Sequence, residues 1–388
     1  MIGLKPRGAL AIVVLVFLSA CTVADTSGLD PSDRAAITAA LTIDPQSLPN
    51  YAGQALPAYY TSPVLTREDG TIARPITNAG ATLGRVLYYD RNLSVNNTVS
   101  CATCHAQGRA FADTARFSLG FEGVGRTGAH SMRLTNARFN ENGRFFWDRR
   151  AATLETQTTE PIQNSVEMGF DAAHGGLNAV ISTISGLAYY PPLFTLAYGD
   201  ASITTDRIQR ALAQYVRSIV STRSRWDLAY VSVFQPNDPQ GSLVSPLPGF
   251  TTAESRGQTL FIQPPQNGGL GCAGCHVPPT YSLAGNSRSN GLDSLETTIF
   301  RSPSLKNVAL SAHFMHDGRF SSIEEVVEFY NSGVQAGPAL DQRLTSAPGM
   351  PRRLNLSVSE KAALAAFLRT LSEQTVGVDA KFSDPFRR

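Results

Sequence analysis

A mainly α-helical chain built from two similar units is the fold class this sequence predicts, and three observations predict it. The pattern Cys-x-x-Cys-His occurs twice, as Cys101-Ala102-Thr103-Cys104-His105 and Cys272-Ala273-Gly274-Cys275-His276. A helical turn with a small residue followed by apolar ones precedes each copy. An amphipathic helix closes each half.

The motif carries its own chemistry. In a c-type haem each thiol adds to one vinyl group, and the adjacent histidine is placed to reach the iron from one face. Four of the five cysteines are used in this way. A CxxC redox pair has no need of the following histidine, and a zinc site would want further thiols that the chain does not hold. The sequence therefore predicts two covalently bound c-type haems, attached through Cys101, Cys104, Cys272 and Cys275, with His105 and His276 as axial iron ligands. Each unit reads as a cytochrome c-like domain, and helices joined by long irregular loops should dominate because the haem itself fills each core.

The elements follow in chain order. Lys5 and Arg7 precede an apolar stretch from Gly8 to Ala20, too short to span a bilayer and suited to a signal-peptide core over residues 1–20. Leu18-Ser19-Ala20-Cys21 resembles a bacterial lipoprotein box, so the mature chain is expected to begin at a lipidated Cys21 and to be membrane-bound by its acyl chains alone. Thr22 supplies no acidic inner-membrane retention signal, which points to the periplasmic side of the outer membrane. Residues 21–60, rich in Pro, Ser, Thr and Asp, read as tether and lead-in.

The N-terminal domain, 61–235, opens on Leu83-Gly84-Arg85-Val86-Leu87-Tyr88 and closes on a helix carrying Ile208, Leu212, Tyr215, Val216 and Ile219. A Pro-, Gly- and Ser-containing link near Pro236 to Pro248 marks the boundary. The C-terminal domain, 236–388, repeats the plan with Arg256-Gly257-Gln258-Thr259-Leu260-Phe261 and a helix carrying Leu364, Phe367, Leu368 and Leu371. From Gly84 to Cys101 is 17 positions and from Gly257 to Cys272 is 15, so the two halves keep nearly one spacing. With 33 basic and 31 acidic side chains, the net charge of +2 gives no nucleic-acid signature.

An electron carrier fills both axial positions of its iron, whereas an enzyme leaves one open. The segment between the motifs bears on that choice: Phe145-Phe146-Trp147-Asp148-Arg149-Arg150-Ala151-Ala152-Thr153-Leu154-Glu155, then Gln157, Pro161-Ile162-Gln163 and Val166-Glu167-Met168-Gly169. Leu87-Tyr88-Tyr89-Asp90 stands before the first motif. Pro303-Ser304-Leu305-Lys306-Asn307-Val308-Ala309-Leu310 and Phe314-Met315-His316-Asp317-Gly318 follow the second. Through these motifs, in this order, the chain resembles the bacterial di-haem cytochrome c peroxidase family and its MauG-like branch over nearly its whole mature length.

The resemblance implies roles for particular residues. The His105 haem is the peroxide-reacting one, with Glu167 as its distal acid-base residue and Gln157 and Pro161 at distal-pocket positions. Trp147 takes the place of the aromatic residue between the haems. The other reading of Glu167 is a helix cap or salt bridge, and of Trp147 a core aromatic. Two positions depart from the better-known peroxidases. Where many members carry a blocking histidine, 16 residues after the motif histidine, this chain has Phe121, so the His105 haem is expected to be open at rest. Where the electron-transfer haem has a methionine ligand, 14 residues after His316, this chain has Tyr330, as MauG-like members do. Met315 competes with Tyr330 for the second iron, and His316 reads as supporting the site rather than ligating. Family members often hold calcium between the domains through an asparagine and two backbone carbonyls; His130 replaces that asparagine, which weakens the case for calcium without removing it.

These readings converge on a peroxidase that reduces hydrogen peroxide at the N-terminal haem, with electrons arriving through the C-terminal haem from a small redox protein such as a cytochrome c or cupredoxin. The alternative is a MauG-like oxidase that modifies Trp or Tyr of a partner protein. A third is a non-enzymatic di-haem electron carrier, which requires both irons to be six-coordinate.

Overall fold

Two helix pairs carry the architecture. Helix Asn78–Tyr89 packs against Thr205–Ser218, and Thr252–Ile262 packs against Val358–Thr370, as the repeated sequence pattern predicts. At each crossing a glycine lets two backbones touch. A Cβ on Gly84 would collide with the Ala211 carbonyl oxygen and lie 2.8 Å from Tyr215 Cβ; one on Gly257 would collide with the Ala363 carbonyl oxygen and lie 2.7 Å from Phe367 Cβ. Interiors packed to near-crystal density leave no slack for the extra atom. The apolar stripes named above face these crossings: Ile208, Leu212 and Tyr215 are buried in one pair, Leu364 and Phe367 in the other.

The structure is a computed structural model and describes residues 28–61, 64, 68, 74–141, 143–347 and 349–387; Cys21 and the leader lie outside them. Among the described residues strand is confined to two short antiparallel pairs, His276–Val277 with Ser282–Leu283 and Thr345–Ala347 with Met350–Pro351. No single helix among them is long and apolar enough to cross a membrane.

Chain order and packing part company in three places. From residue 28 the expected lead-in is built into the fold: Asp30 caps helix Pro31–Ala40, and Ile37, Leu41 and Tyr51 are buried in the first apolar core. Tyr59, Tyr60 and Val64 instead pack into the second core. Helix Arg225–Val233, ahead of the expected link, also joins the second core through Trp226 and Tyr230, which stack with centroids 4.5 Å apart. The link itself holds a short helix, Pro239–Val244, capped by Asp238. Finally, the C-terminal segment returns to the first core, where Phe382 is buried and its carbonyl oxygen accepts hydrogen bonds from Tyr89 Oη and Tyr215 Oη. Each exchange depends on long-range contacts that local composition does not encode.

A buried ion pair anchors the second core. Lys306 Nζ lies 2.5 Å from Asp227 Oδ1, both side chains being sealed from water, and sits 4.7 Å from the Trp226 ring. Asp227 also accepts from Tyr59 Oη, so the charge is paired and hydrogen-bonded, as burial requires.

Candidate active site and its companion pocket

The first motif lies on a single helical turn, Cys101–Cys104, whose entry is fixed by the Ser100 N–H donating to Thr103 Oγ1 at 3.0 Å. His105 ends that turn. The chain then doubles back through Ala110 and Phe111, both in left-handed backbone conformations at φ 56° and 61°. That tight return brings the Phe111 carbonyl oxygen 2.9 Å from His105 Nδ1. With Nδ1–H donating there, the lone pair resides on Nε2, the atom a metal ligand must offer. Burial lowers the imidazole's proton affinity, keeping it neutral, and pushes the Cys101 and Cys104 thiols up to about 12 and 11. No disulfide joins any of the four motif cysteines.

Glu167 arrives from the other side. Helix Leu154–Gln163 is docked by Glu155, which accepts from buried Arg217 at 2.7 and 3.1 Å and from Arg74 at 2.6 Å. Gln157 and Pro161 stand one turn apart on this helix; Pro161 has no N–H to offer the Gln157 carbonyl, which is therefore released from the helical ladder. The helix ends at Asn164, whose Oδ1 caps the Val166 and Glu167 N–H groups at 2.9 and 3.1 Å. Glu167 is half-buried. Burial raises its carboxyl above the ordinary range, Arg150 opposes the rise and Glu160 adds to it. Its charge adds, after burial and nearer groups, to the rise of the Cys101 and Cys104 thiols.

Phe121 closes the same corner. Its N–H donates to the carbonyl oxygens of Val166 and Glu167 at 3.2 and 3.1 Å, and its buried ring packs where a Cβ on Gly169 would sit, 2.6 Å away. The ring thus packs on Gly169, two residues past the acid.

The second motif is positioned differently. Gly271, at φ +78°, starts the turn Cys272–Gly274, and His276 enters a short strand pair. Cys272, Cys275, His276, Trp147, Met315 and Tyr330 all line one mostly apolar cavity. Burial pushes the Cys272 thiol up to about 12 and His276 down to about 4, and the His276 Nδ1 atom is buried with no hydrogen-bond partner. Met315 and Tyr330 meet the same side chain: Asn290 Nδ2 is 3.4 Å from Met315 Sδ and 3.5 Å from Tyr330 Oη. Tyr330 occupies a π-helical turn, Phe329–Gly333, a form often found at functional sites. Burial pushes its phenol up to about 12, so binding a metal as phenolate would release a proton.

Trp147 bridges the halves. Its Nε1–H donates to the His130 carbonyl at 2.7 Å, its own carbonyl accepts from Arg301 N–H at 2.7 Å, and its ring lies 6.4 Å from that of His316. His316 stacks on Phe300 at 3.8 Å and gathers with the Asp293 and Glu296 carboxylates within 4.8 Å. His130 is a nitrogen donor already engaged with the Arg116 carbonyl at 3.1 Å, unlike the oxygen ligands calcium takes.

Both residue sets fit a c-type haem: unpaired protonated thiols, a neutral buried histidine and, at the second, an apolar cavity. The family described as di-haem cytochrome c peroxidase matches this chain over residues 78–232 and 254–384. The chain belongs to that family. Membership implies two c-type haems and an oxidoreductase. A MauG methylamine utilization protein from Methylophilus methylotrophus is 27% identical over 322 residues, covering 80% of this chain and 87% of its own. The cytochrome c551 peroxidase of Pseudomonas aeruginosa is 27% identical over 276 residues, covering 66% of this chain and 72% of its own. Among solved structures, a MauG-like protein associated with microbial copper homeostasis superposes with a TM-score of 0.67 at 26% identity, over 86% of this chain and 99% of its own.

Sequence reasoning missed three contributors: the Phe111 carbonyl, Asn290 and Arg133. The first is a backbone atom, and the other two come from loops with no motif around them.

Proposed function

We propose that this protein reduces hydrogen peroxide to water at a haem carried by Cys101, Cys104 and His105, with electrons entering through a second haem carried by Cys272, Cys275 and His276, both attached covalently. The observation that carries the reading is Glu167, a half-buried carboxyl raised by burial, whose backbone is fixed by the Asn164 cap and by the Phe121 N–H at 3.1 Å each. When bound, haem supplies the iron at which the peroxide bond is broken. The Glu167 carboxylate takes a proton from hydrogen peroxide and returns it to the departing oxygen, so the leaving group is water rather than hydroxide. A carboxyl above its ordinary range is the stronger base for the first step. Phe121 has no atom that can ligate iron and leaves the approach open. Gln157 and Pro161 complete the wall on the helix that delivers Glu167. Trp147, bonded to both halves, lies on the route by which electrons cross.

A second reading, a MauG-like oxidase that modifies Trp or Tyr of a partner protein, is favoured by Tyr330. A phenolate is a hard anionic ligand that stabilises oxidised iron, the opposite of a thioether. We further propose that the chain is exported and tethered through Cys21 on the periplasmic side of a bacterial membrane; intact mass of the purified protein should show the acyl chains. Steady-state peroxide consumption decides among the functions. Fast turnover with a reduced cytochrome c or cupredoxin supports the peroxidase, and poor turnover with oxidation of a partner protein supports the oxidase. No peroxide consumption with any donor leaves only the electron carrier.

A further inference from the structure

The second cavity is lined by five arginines, Arg133, Arg288, Arg301, Arg343 and Arg352, and by one carboxylate, Asp341. Asp341 is already held by Arg343 at 2.7 Å. Arg133 is the least compensated of the five. It reaches across from the first half, is 7% exposed, and donates to Ser311 Oγ at 2.7 Å and the Ser304 carbonyl at 3.0 Å. Both acceptors are neutral, and its Nε is buried without any partner. Among the described residues no carboxylate forms an ion pair with it, and it lines the same cavity as His276. A guanidinium keeps its proton, so the charge stays in the cavity wall and calls for an anion.

We propose that Arg133 seats a propionate of the haem carried by Cys272, Cys275 and His276. A carboxylate there accepts charge-assisted hydrogen bonds from the open edge of the guanidinium, which supply the missing partner. The first half thereby helps to hold the cofactor of the second. The bonded cation also cancels one negative charge near the iron, which favours the ferrous state and raises the reduction potential.

The inference rests on a haem being present at Cys272–His276. If wild-type protein matured in a competent host carries no second covalent haem, that underlying reading fails. The inference itself is tested in two-haem protein by redox titration and by the resonance Raman propionate bending band, which reports hydrogen bonding to the haem carboxylates. Arg133→Gln should shift that band. It should also move the ferric-to-ferrous ratio of the second haem at least tenfold towards ferric at fixed poise, which is 59 mV for one electron. Arg133→Lys should keep the potential within that factor while still shifting the band. An unchanged band and potential in Arg133→Gln overturn the proposal, as does a Lys variant whose potential falls as far as that of Gln. Should Arg133→Gln fail to mature with two haems, Arg133→Lys decides alone: a shifted band supports the seat and an unshifted one overturns it.

Discussion

His105 and His276 close the same five-residue motif, yet their surroundings have little in common. The His105 ring is oriented by the Phe111 carbonyl, while the Phe121 N–H donates to the Glu167 carbonyl and the Phe121 ring packs on Gly169. The His276 ring has no partner at Nδ1 and shares its cavity with Met315, Tyr330 and five arginines. A carboxyl raised by burial belongs to the first set of residues. Ligand candidates and a cationic wall belong to the second. One helical scaffold, repeated at Gly84 and Gly257, thus carries two differently lined motifs, and the difference lies in loops rather than helices; on the proposed function the first serves proton transfer and the second holds charge.

The largest expected effect comes from removing the acid that sets the first pocket apart. Glu167→Gln keeps size and hydrogen bonding but loses the base, so peroxide turnover should fall by about 10² to 10⁴ with haem content and spin state nearly unchanged. Near-normal turnover would make the residue structural and erase half of the contrast. The pH profile sharpens the same point. Burial raises the Glu167 carboxyl, against Arg150 and with Glu160. The basic form is therefore lost as pH falls through a value above the ordinary carboxylate range, and kcat/KM should decline there. Glu167→Gln should lack that limb.

Next in size is the second pocket's ligand. Tyr330→Met replaces an anionic donor with a neutral soft one, so the reduction potential of the His276 haem should rise, by at least the tenfold ratio that 59 mV represents. A spectrum altered by Met315→Leu and untouched by Tyr330→Met would transfer the ligand role to Met315, which meets the same Asn290 amide. The smallest effects test what the halves share. Gly84→Ala and Gly257→Ala each force a Cβ against a backbone carbonyl, and each should cost about 1–3 kcal/mol by thermal or denaturant unfolding. A large loss at one glycine and none at the other would break the equivalence of the two crossings.

Much of this was legible in the sequence because it is local. The two motifs, the glycine-bearing helices and the closing helices announce themselves by spacing within a few turns, and all four helices are present. Glu167 was singled out through the motifs around it, not through any property of a lone glutamate. The return of Phe382 to the first core and the passage of Tyr59 and Trp226 into the second left no comparable trace, since each rests on partners far away in the chain. Arg133 was invisible for the same reason: nothing beside it in sequence says that it is buried against Ser304 and Ser311.

The asymmetry between the pockets is the central claim, and the spin state of the fully oxidised protein tests it most directly. Electron paramagnetic resonance of the protein as isolated should show one high-spin ferric haem and one low-spin haem, and peroxide should react without prior reduction. Two low-spin signals, with reactivity appearing only after one electron is added, would contradict the account, because some residue would then be supplying the iron ligand that Phe121 cannot.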